Sequence, residues 1–593
     1  MNLSELNHTL QPVLIPGAGG NLIGFYHPPA AGVVPRGDVL VVPAFAEEMN
    51  RCRSMVTLQA QAFAALGMGT LVLDMRGTGD SAGEFSDGTV EDWCADLRLG
   101  QDWLRHNGHG CRTLLGVRLG GLIAAHLAAQ DGLIKQLILW MPVVSGKQFL
   151  TQFLRIRIAA DMSLSNGIRS TEQMRKQSAR GEVVESSGYL IGPRLAQQLD
   201  EMQMPSAAQM AGKSVLWFEV SASADSPFPR AQEMQMQAWR DGGVPVEFAG
   251  MVGPQFWHVH ERMVAPALID ACTAAIAARP AAPLPVPMLS AQPLASADLT
   301  TAAEYPVVFR CGQDVLSGII HRGAAGPSQA LGMVIVVAGG PQFRVGAHRQ
   351  FVSLARLVAA KGYPVMRFDL RGMGDASGTH VGYEESVPDI RAAIDEFFRR
   401  EPQLQQVALF GECNSASGIL FYAYQDKRVR QIALANPWVR TSDVQAEAIL
   451  KHYYLDRLRS RAFWINVARG KFKIWQSATS FVGLVRTYLR GRQARQAVPG
   501  STVADIKHLP LTLRTADGLR RFGGPILLLM SGRDLIAREF DDVTKSAKAW
   551  AGLLDHARIS RRDIADADHT FSKPEAKAEA QQALLTWLDC GKA

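Results

Sequence analysis

The chain has 593 residues, of which 47% are hydrophobic and 20% charged, with a net charge of +7. That length exceeds what one hydrophobic core holds, and asks for several units of about 100–200 residues or two larger ones. No apolar run reaches the roughly 18 residues of a membrane span. The start, Met1-Asn2-Leu3-Ser4-Glu5, lacks the basic and apolar regions of a signal peptide, and the seven cysteines show no CxxC spacing. Both features suit a reduced, cytoplasmic protein without a disulfide framework.

Taken in chain order, residues 38–42 form an apolar, β-branched run that ends at a proline, and 70–74 form another that runs into a glycine-rich turn. Residues 113–115 lead into Gly116-Val117-Arg118-Leu119-Gly120, and residues 119–130 carry helical apolar spacing. Strands are expected at 137–140 and 214–220, with a polar, helical insertion between them over 145–212. Five prolines within 279–293 resist helix and sheet and mark a semi-rigid linker. After it the same order returns, with strands at 333–337, 364–369, 406–410, 431–435 and 526–530 and an insertion over 440–521.

Short apolar runs alternating with helical patterns imply parallel sheets covered on both faces. Asp74-Met75-Arg76-Gly77-Thr78-Gly79-Asp80 and Asp369-Leu370-Arg371-Gly372-Met373-Gly374-Asp375 lie 295 residues apart, as do Arg118 and Cys413. The chain is therefore a duplication of whole α/β domains: 1–278, a linker at 279–300, and 301–593. Each is expected to be a mostly parallel, doubly wound sheet with a helical lid insertion. Without a following Lys-Ser/Thr, the glycine loop at 371–375 reads as a structural turn more than as a phosphate cradle.

In the second copy, Gly411-Glu412-Cys413-Asn414-Ser415 joins a strand to a helix through a tight turn flanked by small residues, the form of an α/β-hydrolase nucleophile elbow. A helix N-terminus favours a thiolate there. Asp534 follows the strand at 526–530, and His569 sits in a polar loop before the last helical segment, so the order nucleophile, acid, histidine is that of α/β-hydrolases. His569 would take the thiol proton and Asp534 would fix its tautomer. Taken singly, Cys413 reads equally as a buried inert thiol, His569 as a capping residue and Asp534 as a turn former. The oxyanion donors expected are the N–H groups of Asn414 and of Gly340, since Pro341 has none.

In the first copy Arg118 stands where the nucleophile belongs and stays protonated. Asp225 and His258 would then have nothing to activate. The copy is read either as a scaffold or as an anion-binding site built on Arg118. His258, His260 and Glu261 fall short of a metal site, and no cofactor and no nucleic acid partner are expected. Residues 451–495 hold many Lys and Arg, Asp456 as their one acid, and interleaved aromatics. This basic stretch is a lid helix face or a surface for anionic ligands or membranes.

The stretches Ala338-Gly339-Gly340-Pro341-Gln342-Phe343-Arg344-Val345-Gly346-Ala347-His348-Arg349 and the Cys413 elbow resemble type 1 of the exosortase A system-associated hydrolases. Pro43-Ala44-Phe45-Ala46-Glu47-Glu48-Met49-Asn50 and the Arg118 elbow resemble type 2. The cysteine elbow also resembles that of dienelactone hydrolases, with Ser415 in place of their glycine. The resemblance implies a fusion of two bacterial α/β-hydrolases linked to exopolysaccharide production and surface-protein sorting. With Cys413 as nucleophile, an ester or thioester acyl hydrolase or acyl transferase is expected, on small or carrier-bound acyl substrates. The alternative is a non-catalytic pair of pseudo-hydrolases serving the same export pathway. Nothing in the sequence sets the oligomeric state.

Overall fold

The structure is a computed structural model that describes residues 10–163, 170–226, 228–279, 301–324, 330–340, 342–439 and 509–590. The expected linker and the basic aromatic stretch at 451–495 lie outside the described residues, apart from the linker's first residue.

The first half builds β1 (Gln11–Gly17), β2 (Gly20–His27), β3 (Gly37–Val42), β4 (Met68–Leu73), β5 (Cys111–Val117), β6 (Gln136–Trp140), β7 (Val184–Ser186), β8 (Tyr189–Ile191), β9 (Ser214–Ser221) and β10 (Val246–Val252). Eight of these form a sheet in the order β1-β2-β4-β3-β5-β6-β9-β10. The pairs β1–β2 and β2–β4 are antiparallel and the others parallel. Along β3, Leu40 and Val42 enter one core and Val39 and Val41 the other, so this strand is buried on both faces. That is why it reads as an unbroken apolar run.

The second half supplies β11 (Glu304–Cys311), β12 (Asp314–His321), β13 (Leu331–Val337), β14 (Val365–Asp369), β15 (Gln406–Glu412), β16 (Val429–Ala435), β17 (Ile526–Ser531) and β18 (Ile559–Ile564). It repeats the first order element for element, β11-β12-β14-β13-β15-β16-β17-β18. Both halves are thus α/β domains with mostly parallel, doubly wound sheets. The first-half insertion holds the helices Gly146–Ser163, Thr171–Ala179 and Pro193–Glu201, together with the hairpin β7–β8 that the polar-helical reading did not include.

Packing divides the chain differently from the repeat. One compact unit comprises Met1–Gln329, Val337–Val381 and Arg391–Gln403, and the other Ala330–Val336, Gly382–Ile390 and Leu404–Ala593. The glycine loop of the second copy therefore packs in the same unit as the whole first copy. In each loop the leading aspartate accepts the N–H of the closing one, Asp80 N to Asp74 at 2.9 Å and Asp375 N to Asp369 at 3.1 Å. Gly79 has φ 48°, and a Cβ there would fall 2.1 Å from the Asp74 carboxylate. Gly374, with φ 52°, stands in the same relation to Asp369 at 2.3 Å. Only glycine permits this closure.

Three guanidinium groups join the two loops. Arg53, on the helix Glu47–Ala65, bonds Asp74 at 2.6 Å and both oxygens of Asp375 at 2.6 and 2.9 Å. Arg344 reaches Asp80 at 2.7 Å, Asp375 at 2.8 Å and Asp369. Arg367 reaches Asp80 at 2.8 Å. All seven side chains are buried, and the rings of Phe343 and Phe25 lie under the guanidinium groups of Arg53 and Arg344. Burial would raise Asp80, but Arg344 and Arg367 hold it down at about 2. Burial pushes Asp369 up to about 6 against the pull of Arg344.

Removing one partner strands a buried charge, which costs about 3–5 kcal/mol. Arg53→Met should therefore lower unfolding stability by that amount in a denaturant titration. Arg105→Ala, at an exposed pair with Asp102, should change it by less than about 0.5 kcal/mol.

Candidate active site

Strand β15 ends at Glu412, and the helix Asn414–Tyr422 starts two residues later. Cys413 makes the bend alone, with φ 59° and ψ −121°. A non-glycine residue at this φ is strained by about 1–3 kcal/mol and persists only where its surroundings enforce it. Those surroundings are plain. Cys413 N donates to Ala435 O at 2.9 Å. Ser415 Oγ accepts from Glu412 N at 2.9 Å and donates to Glu412 O at 2.7 Å. A Cβ on Gly411 would lie 2.7 Å from Ile419 and 2.9 Å from Ser415 Oγ, so strand and helix approach only because that residue is glycine.

Cys413 is partly open to solvent, whereas Cys52, Cys94, Cys111, Cys272 and Cys311 are buried. Burial pushes the Cys94 thiol up to about 11 and those of Cys111 and Cys272 up to about 12. These three are protonated and inert near neutral pH.

Asp534 follows β17 and caps the helix Leu535–Ser546, accepting from Ile536 N at 3.2 Å and Ala537 N at 3.1 Å. The same carboxylate is 2.8 Å from His569 Nδ1. His569 lies between β18 and the helix Pro574–Cys590, and its imidazole is near enough to Cys413 for the two groups to interact. With Nδ1 engaged by Asp534, Nε2 is the nitrogen left for the sulfur. Burial opposes charge on the imidazole, yet the bond to Asp534, the neighbouring Cys413 and the nearby Glu412 carboxylate push its pKa up to about 11. The structure thus brings Cys413, His569 and Asp534 together, with His569 hydrogen-bonded to Asp534 and beside Cys413. Asn414 begins the elbow helix, its Oδ1 3.8 Å from Cys413 Sγ. Gly340 follows β13 and belongs to the first compact unit.

Asn436 escaped the sequence reading. It is fully buried, has φ 43°, and bonds both Ser531 and the carbonyl of His569. The available signal was its position, 295 residues after Met141.

The first copy keeps the elbow and changes its chemistry. Arg118 has φ 55° and ψ −120° and donates its N–H to Trp140 O at 2.9 Å. Its guanidinium bonds Glu48 at 3.3 Å and Met141 O at 3.0 Å and lies 5.3 Å from the centre of the Trp257 ring. Its charge is matched inside the copy. Burial, Arg118 and Arg51 hold the His258 pKa down at about 4, so that imidazole is neutral. Asp225 is exposed, and among the described residues no hydrogen bond joins it to His258. Among the described residues no group of three or more His, Cys, Asp or Glu could hold a metal ion, and no helix is long and apolar enough to cross a membrane.

Two family models match the chain: one described as serine aminopeptidase, S33, over residues 34–202, and one described as alpha/beta hydrolase fold over 332–572. Among curated proteins no relative matches. Solved structures similar to part of the chain include an esterase of Pyrococcus furiosus, 12% identical, covering 49% of this chain and 92% of that one with a TM-score of 0.33. DcsB in complex with its substrate analogue is 20% identical over 45% of this chain and 99% of that one, with a TM-score of 0.31. Est1E from Butyrivibrio proteoclasticus is 16% identical over 45% and 96%, with a TM-score of 0.31.

The His569 pKa is raised above its ordinary 6.5. The stability this contributes is therefore complete below about 6.5 and lost as pH rises through about 11. By NMR, the His569 ring should stay protonated well above neutrality, and Asp534→Asn should return its titration toward the ordinary range. The two sheets and the two family matches identify the chain as a tandem pair of α/β-hydrolase folds.

Proposed function

We propose that the second copy is a cysteine-dependent acyl hydrolase or acyl transferase acting on ester or thioester bonds. The observation that supports this reading is the His569–Asp534 hydrogen bond beside Cys413, which sits at an elbow with positive φ. The Cys413 sulfur would attack the acyl carbonyl while His569 holds the thiol proton. The C–S bond to the enzyme forms, the negative charge moves to the carbonyl oxygen, and the N–H group of Asn414 would receive it. Collapse breaks the bond to the leaving alcohol or thiol, which takes the proton from His569. Water or another acceptor, deprotonated by His569, then releases the acyl group. Asp534 keeps Nδ1 occupied and stabilises the imidazolium throughout.

The first copy, with Arg118 paired to Glu48, is read as a scaffold without chemistry of its own. Anion binding by Arg118 is the less favoured role, because a ligand would have to displace Glu48. The exosortase and exopolysaccharide setting rests on the sequence resemblance, and a carrier-bound thioester substrate rests on the basic composition of 451–495.

The test is turnover of activated esters and acyl-coenzyme A thioesters by the full chain. Cys413→Ala should lose about 10³-fold or more in kcat, while Arg118→Ala should keep the wild-type rate within about twofold. Unchanged turnover by Cys413→Ala would overturn the cysteine mechanism, and a full chain that turns over none of these esters or thioesters would leave a non-catalytic pseudo-hydrolase as the better reading.

A further inference from the structure

Two adjacent residues at the end of β16 hold the two halves of the candidate dyad. The carbonyl of Ala435 accepts the N–H of Cys413 at 2.9 Å. The next residue, Asn436, donates from Nδ2 to the carbonyl of His569 at 2.9 Å. The same amide donates to Ser531 Oγ at 2.8 Å and accepts from Ser531 N at 2.8 Å, while Asn436 N donates to Leu529 O at 3.0 Å. Strand β16, the end of β17 and the histidine loop are therefore fastened at one fully buried side chain.

The job is specific to asparagine. The site asks for one acceptor and two donors on a short, uncharged side chain, which a carboxamide supplies. The partners also fix which way round the amide sits, because a backbone N–H demands the oxygen and a carbonyl demands the nitrogen. The backbone has φ 43°, a region asparagine enters more readily than most residues.

The first copy is the internal control. Met141 stands 295 residues earlier with φ 44°, and its N–H donates to Phe218 O at 2.8 Å. The bend and its backbone bond are kept; the amide is gone. That same copy has arginine at the elbow and an exposed Asp225.

We infer that Asn436 is a positioning residue that sets His569 against Cys413 by holding the histidine's own carbonyl. This rests on the catalytic reading of Cys413. His569 could keep its bond to Asp534 without Asn436, but its ring would no longer be registered on the sulfur.

The test is the rate at which iodoacetamide alkylates Cys413 in the full chain, followed across pH. Wild type should react faster at neutral pH than a free thiol, and His569→Gln should abolish that advantage. Asn436→Met, which copies the first half, should slow alkylation at neutral pH by about 10–100-fold, the cost of misplacing a reacting pair by an ångström. It should also move the pH midpoint toward that of a free thiol. Asn436→Asp keeps the shape and the acceptor for Ser531 N but loses the donor to His569, and should act in the same direction. It serves as the variant of record if the methionine form does not unfold cooperatively. Wild-type rate and midpoint in a folded Asn436 variant overturn the inference. A wild-type thiol that reacts like a free one, indifferent to His569→Gln, ends the catalytic reading and this inference with it.

Discussion

A single residue must reverse the chain between a buried parallel strand and the helix that covers it, and in both copies it does so at positive φ. Cys413 at φ 59° and Arg118 at φ 55° share this bend to within a few degrees. The constraint has one consequence for chemistry. A side chain at that point belongs to neither strand nor helix, and it projects over the C-terminal edge of the sheet, where open α/β sheets place their ligands. Whatever sits there is presented. In one copy it is a thiol met by an imidazole, and in the other a guanidinium met by Glu48. The duplication preserved the geometry and let the chemistry diverge.

The second constraint is electrostatic. Arg53, Arg344 and Arg367 lie among Asp74, Asp80, Asp369 and Asp375 with almost no solvent contact. Such a cluster is weak evidence for stability in itself, since desolvating seven ionisable groups is costly. Its value is registry. Each glycine loop closes on its own leading aspartate, and Arg53 and Arg344 then require both loops at once. The linker joins the two copies covalently; the ion cluster ties the second copy's glycine loop to the first copy in a single compact unit.

The inner parallel strands were legible because burial on both faces leaves them as apolar runs, and the helix expected at 119–130 is found as Leu119–Gln130. The antiparallel edges were not. Pro12, Pro16 and Pro306 argue against a strand, yet β1 and β11 are the first strands of their sheets, where a missing N–H is tolerated. The polar run Ser560-Arg561-Arg562-Asp563 hid β18, another outer strand. Cys413, Asp534 and His569 could be found because their order along the chain and their places after strands carry meaning together. Asn436 could not, because an asparagine before Pro437 reads as an ordinary turn. Arg53 could not either, because one arginine in a helix reads as a solvated position until its partners Asp74 and Asp375, the second more than three hundred residues away, are known.

The central claim is that Cys413 carries the acyl group between the two chemical steps. The direct measurement is intact-mass and peptide mass spectrometry of the full chain, quenched in acid during turnover of an activated ester or acyl thioester. The account predicts the mass of one acyl group on the peptide that contains Cys413, formed at the rate of leaving-group release. Turnover with no adduct at Cys413, or with the acyl group on a different residue, would contradict it.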